Sequence, residues 1–175
     1  MSASPSEADL LSRARAGDQR AFSALIEPNQ RKLWAACLRI TANSTDAEDA
    51  LQDALIAIWQ SIDKFRGESS FGTWCFRVAS NAALAVVRRR AYTSELPEDL
   101  PEDDRPDFTE TFADRDRIQT ALQTIPEDFR VALVLREFGD FSYQEIADHQ
   151  GILVDTVKTR IYRARIALRE ALATT

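Results

Sequence analysis

A basic segment near the C-terminal end of the chain has residue types that contact nucleic acid. Residues 156–175 carry five basic side chains and one acidic side chain. Arg160 and Arg165 suit phosphate contacts, which set the register of a protein on DNA. Other side chains of the segment also suit base edges, and these are Lys158, Thr159, Tyr162 and Arg163. The alternative is an ordinary surface helix with a solvated basic face.

Residues 65–81 combine aromatic rings, cations and an amide around one glycine-containing loop. The members of this group are Phe65, Arg66, Phe71, Trp74, Phe76, Arg77 and Asn81. Aromatic faces and hydrogen-bonding side chains suit the capture of bases that have left a stack. For Phe71, Trp74 and Phe76 the alternative is core packing, because residues 71, 74 and 78 follow helical spacing.

The basic segment lies in the second of two predicted helices that a glycine separates. Ser142 and Glu145 have capping-box spacing for the first helix, and Gly151 permits the sharp turn that follows. Asp155 is the predicted N-cap of the second helix, which has an inward apolar stripe. This is the helix-turn-helix pattern, whose second helix enters the major groove of DNA. Capped helices and clustered cations together favour DNA binding over a solvated face.

The first half of the chain is predicted to be helical throughout, and two of its helices carry candidate site residues. Thr45 and Glu48 have the capping-box spacing that starts a helix. Its apolar stripe consists of Leu51, Leu55, Ile58 and Ile62. A long helix runs from about residue 71 to residue 90, and no segment has the alternation of a strand. The pattern therefore predicts an all-α fold.

Charge divides the chain into parts. Residues 93–117 hold 10 acidic and 3 basic side chains, a net charge of −7 that exceeds the net charge of −6 of the whole chain. Residues 93–111 include three prolines and lack helical periodicity, so they predict an extended, acidic, flexible linker. Two small helical domains, residues 1–92 and 112–175, lie on either side, and the second contains the helix-turn-helix. The overall acidity therefore does not argue against DNA binding.

The sequence has no pattern of a metal or cofactor site. Cys37 and Cys75 lie far apart in apolar stretches, and His149 is the one histidine, which argues against a zinc cluster. Buried reduced thiols are the favoured interpretation, with a disulfide left open. Residues 1–9 are polar, unlike a signal peptide, and no apolar run reaches the roughly 20 residues that span a membrane. We expect a cytoplasmic protein that does not insert into a membrane.

Two signatures, in order along the chain, resemble one family. Residues 141–148 (FSYQEIAD), Gly151 and residues 155–165 (DTVKTRIYRAR) resemble region 4 of the extracytoplasmic-function (ECF) sigma factors. Residues 46–53 (DAEDALQD) and 71–81 (FGTWCFRVASN), with Phe65-Arg66 between them, resemble region 2. The resemblance covers nearly the whole chain. It implies a factor that binds bacterial core RNA polymerase and directs promoter-specific initiation, reading the −35 element as duplex and the −10 element as melted strand.

The resemblance assigns roles to individual side chains. It implies that Phe65 and the loop from Arg66 to Phe71 cradle a flipped base of the −10 element, with Asn81 holding it. Arg88, Arg89 and Arg90 end the long helix, where the dipole alone favours cations and phosphate contact upstream of the −10 element is the further role. The predicted −10 set is Phe65, Arg66, Phe71, Trp74, Arg77, Asn81 and Arg88. The predicted −35 set is Thr156, Lys158, Thr159, Arg160, Tyr162 and Arg163.

The resemblance also implies protein partners. A docking surface for the clamp helices of the polymerase β′ subunit would consist of Asp49, Gln52, Asp53, Ile56 and Trp59, although a solvated acidic face is the alternative. The helix 126–138 would contact the β flap. The acids at 98, 99 and 102–104 would face the basic RNA channel of the polymerase. An anti-sigma factor is an expected partner, whereas a small-molecule substrate is not.

This chain departs from the family pattern around the turn. His149 and Gln150 stand where apolar residues are usual, Leu153 where a small residue or proline is common, and Asp155 where glycine is common. These differences bear on the packing of the turn and on the −35 preference, while the groove-facing positions stay filled. His149 is expected to be a surface or half-buried turn residue.

Two other classes of protein compete with this interpretation. A free-standing helix-turn-helix regulator would bind a symmetric operator without polymerase, but such a duplex reader has no need of the aromatic group at 65–81. An enzyme would need a nucleophile with its base, a phosphate-binding loop or a metal cluster, and the sequence shows none of these patterns.

Overall fold

The computed structural model describes residues 5–93 and 113–174, with the side chains of all these residues except 92, 93 and 113–115. The helices are α1 (Glu7–Arg15), α2 (Gln19–Ile26), α3 (Gln30–Thr41), α4 (Ser44–Ser61), α5 (Phe71–Thr93), α6 (Ala113–Gln123), α7 (Glu127–Gly139), α8 (Tyr143–Gln150) and α9 (Val154–Thr174). Short 3-10 turns lie at Glu27–Asn29 and Ile62–Lys64. Neither described range contains a strand, and the prediction of an all-α fold is confirmed.

Side-chain caps fix where several helices begin. The predicted capping box of Ser142 with Glu145 is present at α8. The predicted box of Thr45 with Glu48 is wrong, because Asn43 accepts the Asp46 N–H at 2.9 Å and α4 begins at Ser44. Asparagine is among the best N-caps, and its amide oxygen reaches the first free N–H groups before a threonine two residues later can.

The predicted cap of the last helix is also wrong. α9 begins at Val154, and the Leu153 carbonyl accepts the Val157 N–H at 3.1 Å. Asp155 therefore lies inside the first turn, where its charge still suits the positive end of the helix dipole.

The N-terminal domain is built around α3, α4 and α5, which pack against one another. The face of α4 that enters this core consists of Ala47, Ala50, Ala54 and Ile58. The predicted stripe is therefore partly wrong, since Leu51 and Leu55 are only half-buried. Small alanines allow three helices to approach closely, and the larger leucines lie at the edge of the contact.

The C-terminal domain packs α6, α7 and α8 around α9. α9 turns Val157, Ile161 and Ala164 into the core. α7 is covered on every side along its middle, where residues 130–135 are all buried. A helix that is apolar all round needs partners on all faces, and α7 finds them in α9 on one side and in α3 and α5 of the other domain.

The two domains are in direct contact, and we call this the closed arrangement. Arg130 of α7 is 5% exposed and donates to the carbonyls of Ile125 at 3.3 Å and Ile40 at 3.2 Å. Arg90 at the end of α5 bridges Asp46 at 2.8 Å and Glu127 at 2.7 Å. Most of the predicted linker, residues 94–111, lies outside the described residues, so its role in the polymerase channel stays a prediction.

Both cysteines are buried free thiols, as the sequence favoured. Burial raises the pKa of Cys37 and of Cys75 to about 12, so both thiols stay protonated at neutral pH. Among the helices of residues 5–93 and 113–174, none combines the length and the apolar character needed to cross a membrane.

Candidate nucleic-acid interface

α8 and α9 form the predicted helix-turn-helix. Gly151 ends α8 with φ 64°, a left-handed conformation that favours glycine. With one side of α9 buried, the opposite side presents an exposed row, which we call the α9 row: Thr156, Lys158, Thr159, Tyr162 and Arg163. Tyr162 is 66% exposed, so its ring packs little against this chain and is available to a partner.

Two arginines predicted to hold phosphates have partners inside the domain. Arg160 donates to Gln150 Oε1 at 3.1 Å, lies 3.2 Å from Asp128 Oδ2 and has a side chain only 19% exposed. Arg165 pairs with Glu137 of α7. Both side chains therefore fix α9 against α7 and α8, and their phosphate contacts stay predictions.

The aromatic residues near the start of α5 form one cluster. The ring centroids of Phe65 lie 5.5 Å from those of Phe71 and of Trp74, and the latter two are 5.8 Å apart. Phe71 is 1% exposed and Phe65 is 7% exposed. Phe71 therefore packs in the core, as its alternative interpretation predicted. Phe76 is buried as well and approaches Gly139 of the other domain.

An open pocket of about 570 Å³ lies beside this cluster. Its lining residues come from α1 and from the segment before α5, and they are Leu11, Arg15, Asp63, Phe65, Arg66 and Gly67. Arg15 Nη2 donates to the Phe65 carbonyl at 2.6 Å, and Nε lies 3.5 Å from the Ile62 carbonyl. Sequence reasoning missed the α1 wall, since an arginine at a helix C-terminus is explained by the dipole alone.

One face of α5 carries a row of predicted DNA contacts. Trp74, Arg77, Asn81 and Arg88 are spaced by 3, 4 and 7 residues, which places them on one side of a helix. We call this the α5 row. Asn81 and Arg88 are exposed, whereas Trp74 and Arg77 are half-buried.

Groups of the C-terminal domain bind the two arginines of the α5 row. Arg77 Nη1 lies 2.6 Å from Glu145 Oε1, and its guanidinium lies 4.9 Å from the Phe141 ring centroid. Arg88 donates to the carbonyl of His149. The sequence could not have shown these contacts, since 61 residues separate Arg88 from His149.

Two titratable groups mark this contact. The Ser142 N–H and the Arg77 guanidinium lower the pKa of Glu145 to about 2. Burial, followed by the charge of Arg88, lowers the pKa of His149. Half-buried at the end of α8, His149 is where the sequence led us to expect it.

The predicted polymerase surface forms a second exposed row, on α4. Asp49, Gln52, Asp53 and Ile56 are all exposed and follow one helical face, and Ile56 is 55% exposed. Trp59 is different, because it is half-buried and its ring packs on Phe22 with centroids 4.9 Å apart. We call Asp49, Gln52, Asp53 and Ile56 the α4 row, which offers acidic and amide groups around one apolar side chain.

Comparison with known proteins follows the same division of the chain. Residues 25–93 match the model of Sigma-70 region 2, and residues 115–168 match that of Sigma-70, region 4. RNA polymerase sigma-H factor of Pseudomonas aeruginosa is 36% identical over 93% of this chain and 92% of its own length. ECF RNA polymerase sigma-E factor of Escherichia coli K12 is 34% identical over 91% and 90%, respectively. The chain belongs to the ECF sigma factors.

Two solved structures share the fold of this ECF sigma factor. The sigma factor RpoE, in complex with the anti-sigma factor NepR from Bartonella quintana, has a TM-score of 0.59 at 26% identity, over 87% of this chain and 96% of its own. CnrH, in complex with the cytosolic domain of CnrY, has a TM-score of 0.55 at 27% identity, over 94% and 96%.

Membership of the family decides the class of function. An ECF sigma factor is a non-catalytic specificity subunit of RNA polymerase that acts in transcription initiation. The family therefore decides between this function and the two alternatives, a free-standing regulator and an enzyme, in favour of the sigma factor.

Proposed function

We propose that this ECF sigma factor reads the −35 element as duplex through the α9 row and the −10 element as melted strand through the α5 row. The observation that carries the proposal is the exposure of the α9 row on the second helix of a helix-turn-helix. Lys158 and Arg163 supply donors for guanine edges or phosphates, and Tyr162 adds an uncommitted ring.

The −10 proposal rests on the order of groups along α5. The aromatic cluster and its pocket lie at the start of the helix, and Asn81 and Arg88 follow on one exposed track. Single strands are held by base stacking together with cations that follow the backbone. A base would enter the pocket beside Arg66, while phosphates further along the strand meet Arg77 and Arg88.

Promoter binding then requires the closed arrangement to open. Arg77 and Arg88 would exchange Glu145 and the His149 carbonyl for phosphates, because a guanidinium cannot serve both partners fully. The same opening would uncover the side of α7 that packs on α3 and α5, and this helix is the proposed contact with the β flap. Core polymerase would stabilise the open arrangement, because it would bind this surface of α7 only when the domains have parted.

Docking on the β′ clamp helices would use the α4 row. Acidic groups suit a basic partner and favour fast association, while exposed Ile56 contributes apolar contact at the centre. An anti-sigma factor would act by covering the α4 row or by holding the domains closed. The sigma factor RpoE is in complex with an anti-sigma factor, which supports a partner of this class.

Reconstitution with sigma-free core polymerase tests the proposal. Transcription from a library of candidate promoters should require both components, and the selected promoters should share two short elements. Potassium permanganate footprinting should show unpaired thymines at the downstream element only in the presence of both components. Tight and specific duplex binding by the isolated protein, without a gain from core enzyme, would contradict the proposal.

A further inference from the structure

We propose that Arg15 of α1 is a positioning residue for capture of a −10 base, because it holds the loop that forms the pocket and closes the pocket on the α1 side. The ligand is one unstacked nucleotide of single-stranded DNA. This inference rests on the proposed function and adds to it a helix outside the residues matched to Sigma-70 region 2, which begin at residue 25.

Arg15 joins two parts of the chain that are far apart in sequence. Its Nη2 group donates to the Phe65 carbonyl at 2.6 Å across 50 residues, and its Nε group lies 3.5 Å from the Ile62 carbonyl. Those carbonyls belong to the turn just before Gly67. By binding both, one guanidinium fixes the backbone that presents the Phe65 ring and the Arg66 side chain to the pocket.

The lining of the pocket suits a nucleotide. Leu11 and the small exposed part of Phe65 provide apolar surface beside a base, whereas Arg15 and Arg66 supply positive charge for its phosphates. Asp63 provides a carboxylate that can accept from the exocyclic amino group of cytosine or adenine.

One side of the pocket is left free by the backbone. Gly67 has φ 75°, and apart from Gly67 and its two chain neighbours no described residue has an atom within 4 Å of the position that its Cβ would take. A side chain at this position would narrow the opening, in addition to straining a left-handed backbone. The strand would therefore enter over Gly67.

The experiment uses holoenzyme, assembled from core polymerase and each variant, with single-stranded −10 oligonucleotides. Each oligonucleotide is either intact or abasic at one position, and affinity is measured by fluorescence anisotropy. For the wild type, loss of the captured base should weaken binding by about tenfold or more, as expected for one stacked base. For Arg15→Ala, this abasic penalty should shrink to less than about threefold, because the variant offers no formed pocket even to the intact strand.

Two variants serve as controls. Arg20→Ala removes an equal charge from the exposed surface of α2, outside the pocket lining, and should keep the full penalty. Arg15→Lys retains a hydrogen-bond donor at this position and should retain part of the abasic penalty. Duplex −35 binding and the melting temperature should be unchanged in Arg20→Ala and nearly so in Arg15→Ala.

The outcomes separate this inference from the function on which it rests. A full penalty in Arg15→Ala overturns the role of Arg15 and leaves base capture intact. An absence of any position-specific penalty in the wild type overturns both. If Arg15→Ala unfolds, Arg15→Gln replaces it, and a full penalty in that variant overturns the role.

Discussion

The two rows that are proposed to contact DNA differ in their surroundings. The α9 row faces solvent, and among the described residues its cations take no part in the contact between the domains. Lys158 pairs locally, with Asp155 at 3.1 Å. The cations of the α5 row are bound by the other domain, through Glu145 and the His149 carbonyl. A carboxylate and a carbonyl thus occupy positions where phosphates would bind. Under the proposed function, the α9 row is open to duplex DNA in the closed arrangement, whereas the α5 row becomes open to a strand only after the domains part.

Removing the α9 row should have the largest effect. Lys158→Ala combined with Arg163→Ala is expected to reduce transcription from a −35-dependent promoter by about 100-fold, since each base-edge contact contributes about 1–3 kcal/mol. The measurement is in vitro transcription with core polymerase. Arg169→Ala is the matched control, as it removes an exposed cation near the end of the same helix. An equal loss in the control would show that the effect is general electrostatics.

Neutralising the acids of the domain contact should free the α5 row. Glu145→Gln with Glu127→Gln is expected to raise the affinity of the isolated protein for a −10 single strand by about 3- to 10-fold, because surface ion pairs contribute up to about 1 kcal/mol each. Glutamine at position 145 retains the capping box. Small-angle scattering should show a larger radius of gyration.

Glu137→Gln is the control for that double variant. Glu137 pairs with Arg165 inside the C-terminal domain, so its neutralisation removes charge without touching the domain contact. If strand affinity and radius of gyration stay unchanged in the double variant, the α5 row is not limited by the closed arrangement.

Acid should weaken the contact at a pH set by Glu145. With its pKa lowered from 4.5 to about 2, this carboxylate contributes stability in full above pH 4.5 and loses it as the pH falls through about 2. Thermal unfolding of the wild type and Glu145→Gln, followed from pH 5 to pH 2, should therefore converge. A difference in melting temperature that stays constant over this range would contradict the assignment.

The smallest effect is expected from His149. Because burial and Arg88 lower its pKa below 6.5, its neutral form is favoured in the fold, and stability falls as the pH drops below that value. His149→Gln should remove this slope between pH 7.5 and pH 5, as measured by thermal unfolding. An identical slope in the variant would assign the dependence to another group.

Local features were predictable from the sequence, and contacts between distant segments were not. Ser142 with Glu145 and the left-handed Gly151 depend on neighbours within one turn of helix, so spacing alone identified them. Thr45 was misassigned because a stronger cap, Asn43, stood two residues earlier. The partners of Arg15 lie 47 and 50 residues away, and no local pattern encodes them.

The exposure of side chains divides in the same way. Periodicity located the inward face of α9, because one neighbour, the rest of its own domain, covers it. It misjudged α4, where two helices on either side of the alanines decide which residues are buried. It also gave no sign that Arg77 and Arg88 face another domain rather than solvent, since that contact depends on how two separate cores meet.

Arg130 both joins the two domains and subtracts from the free energy of their contact. Its buried guanidinium bonds two carbonyls, but within the described residues its Nε has no hydrogen-bond acceptor, and the Glu127 carboxylate stays 3.9 Å away. Desolvating a charge that is incompletely compensated subtracts from the free energy gained when the surfaces meet. Water regains access to that charge as soon as the domains part. A partner that binds either domain therefore opposes a contact whose free energy is already reduced by this buried charge.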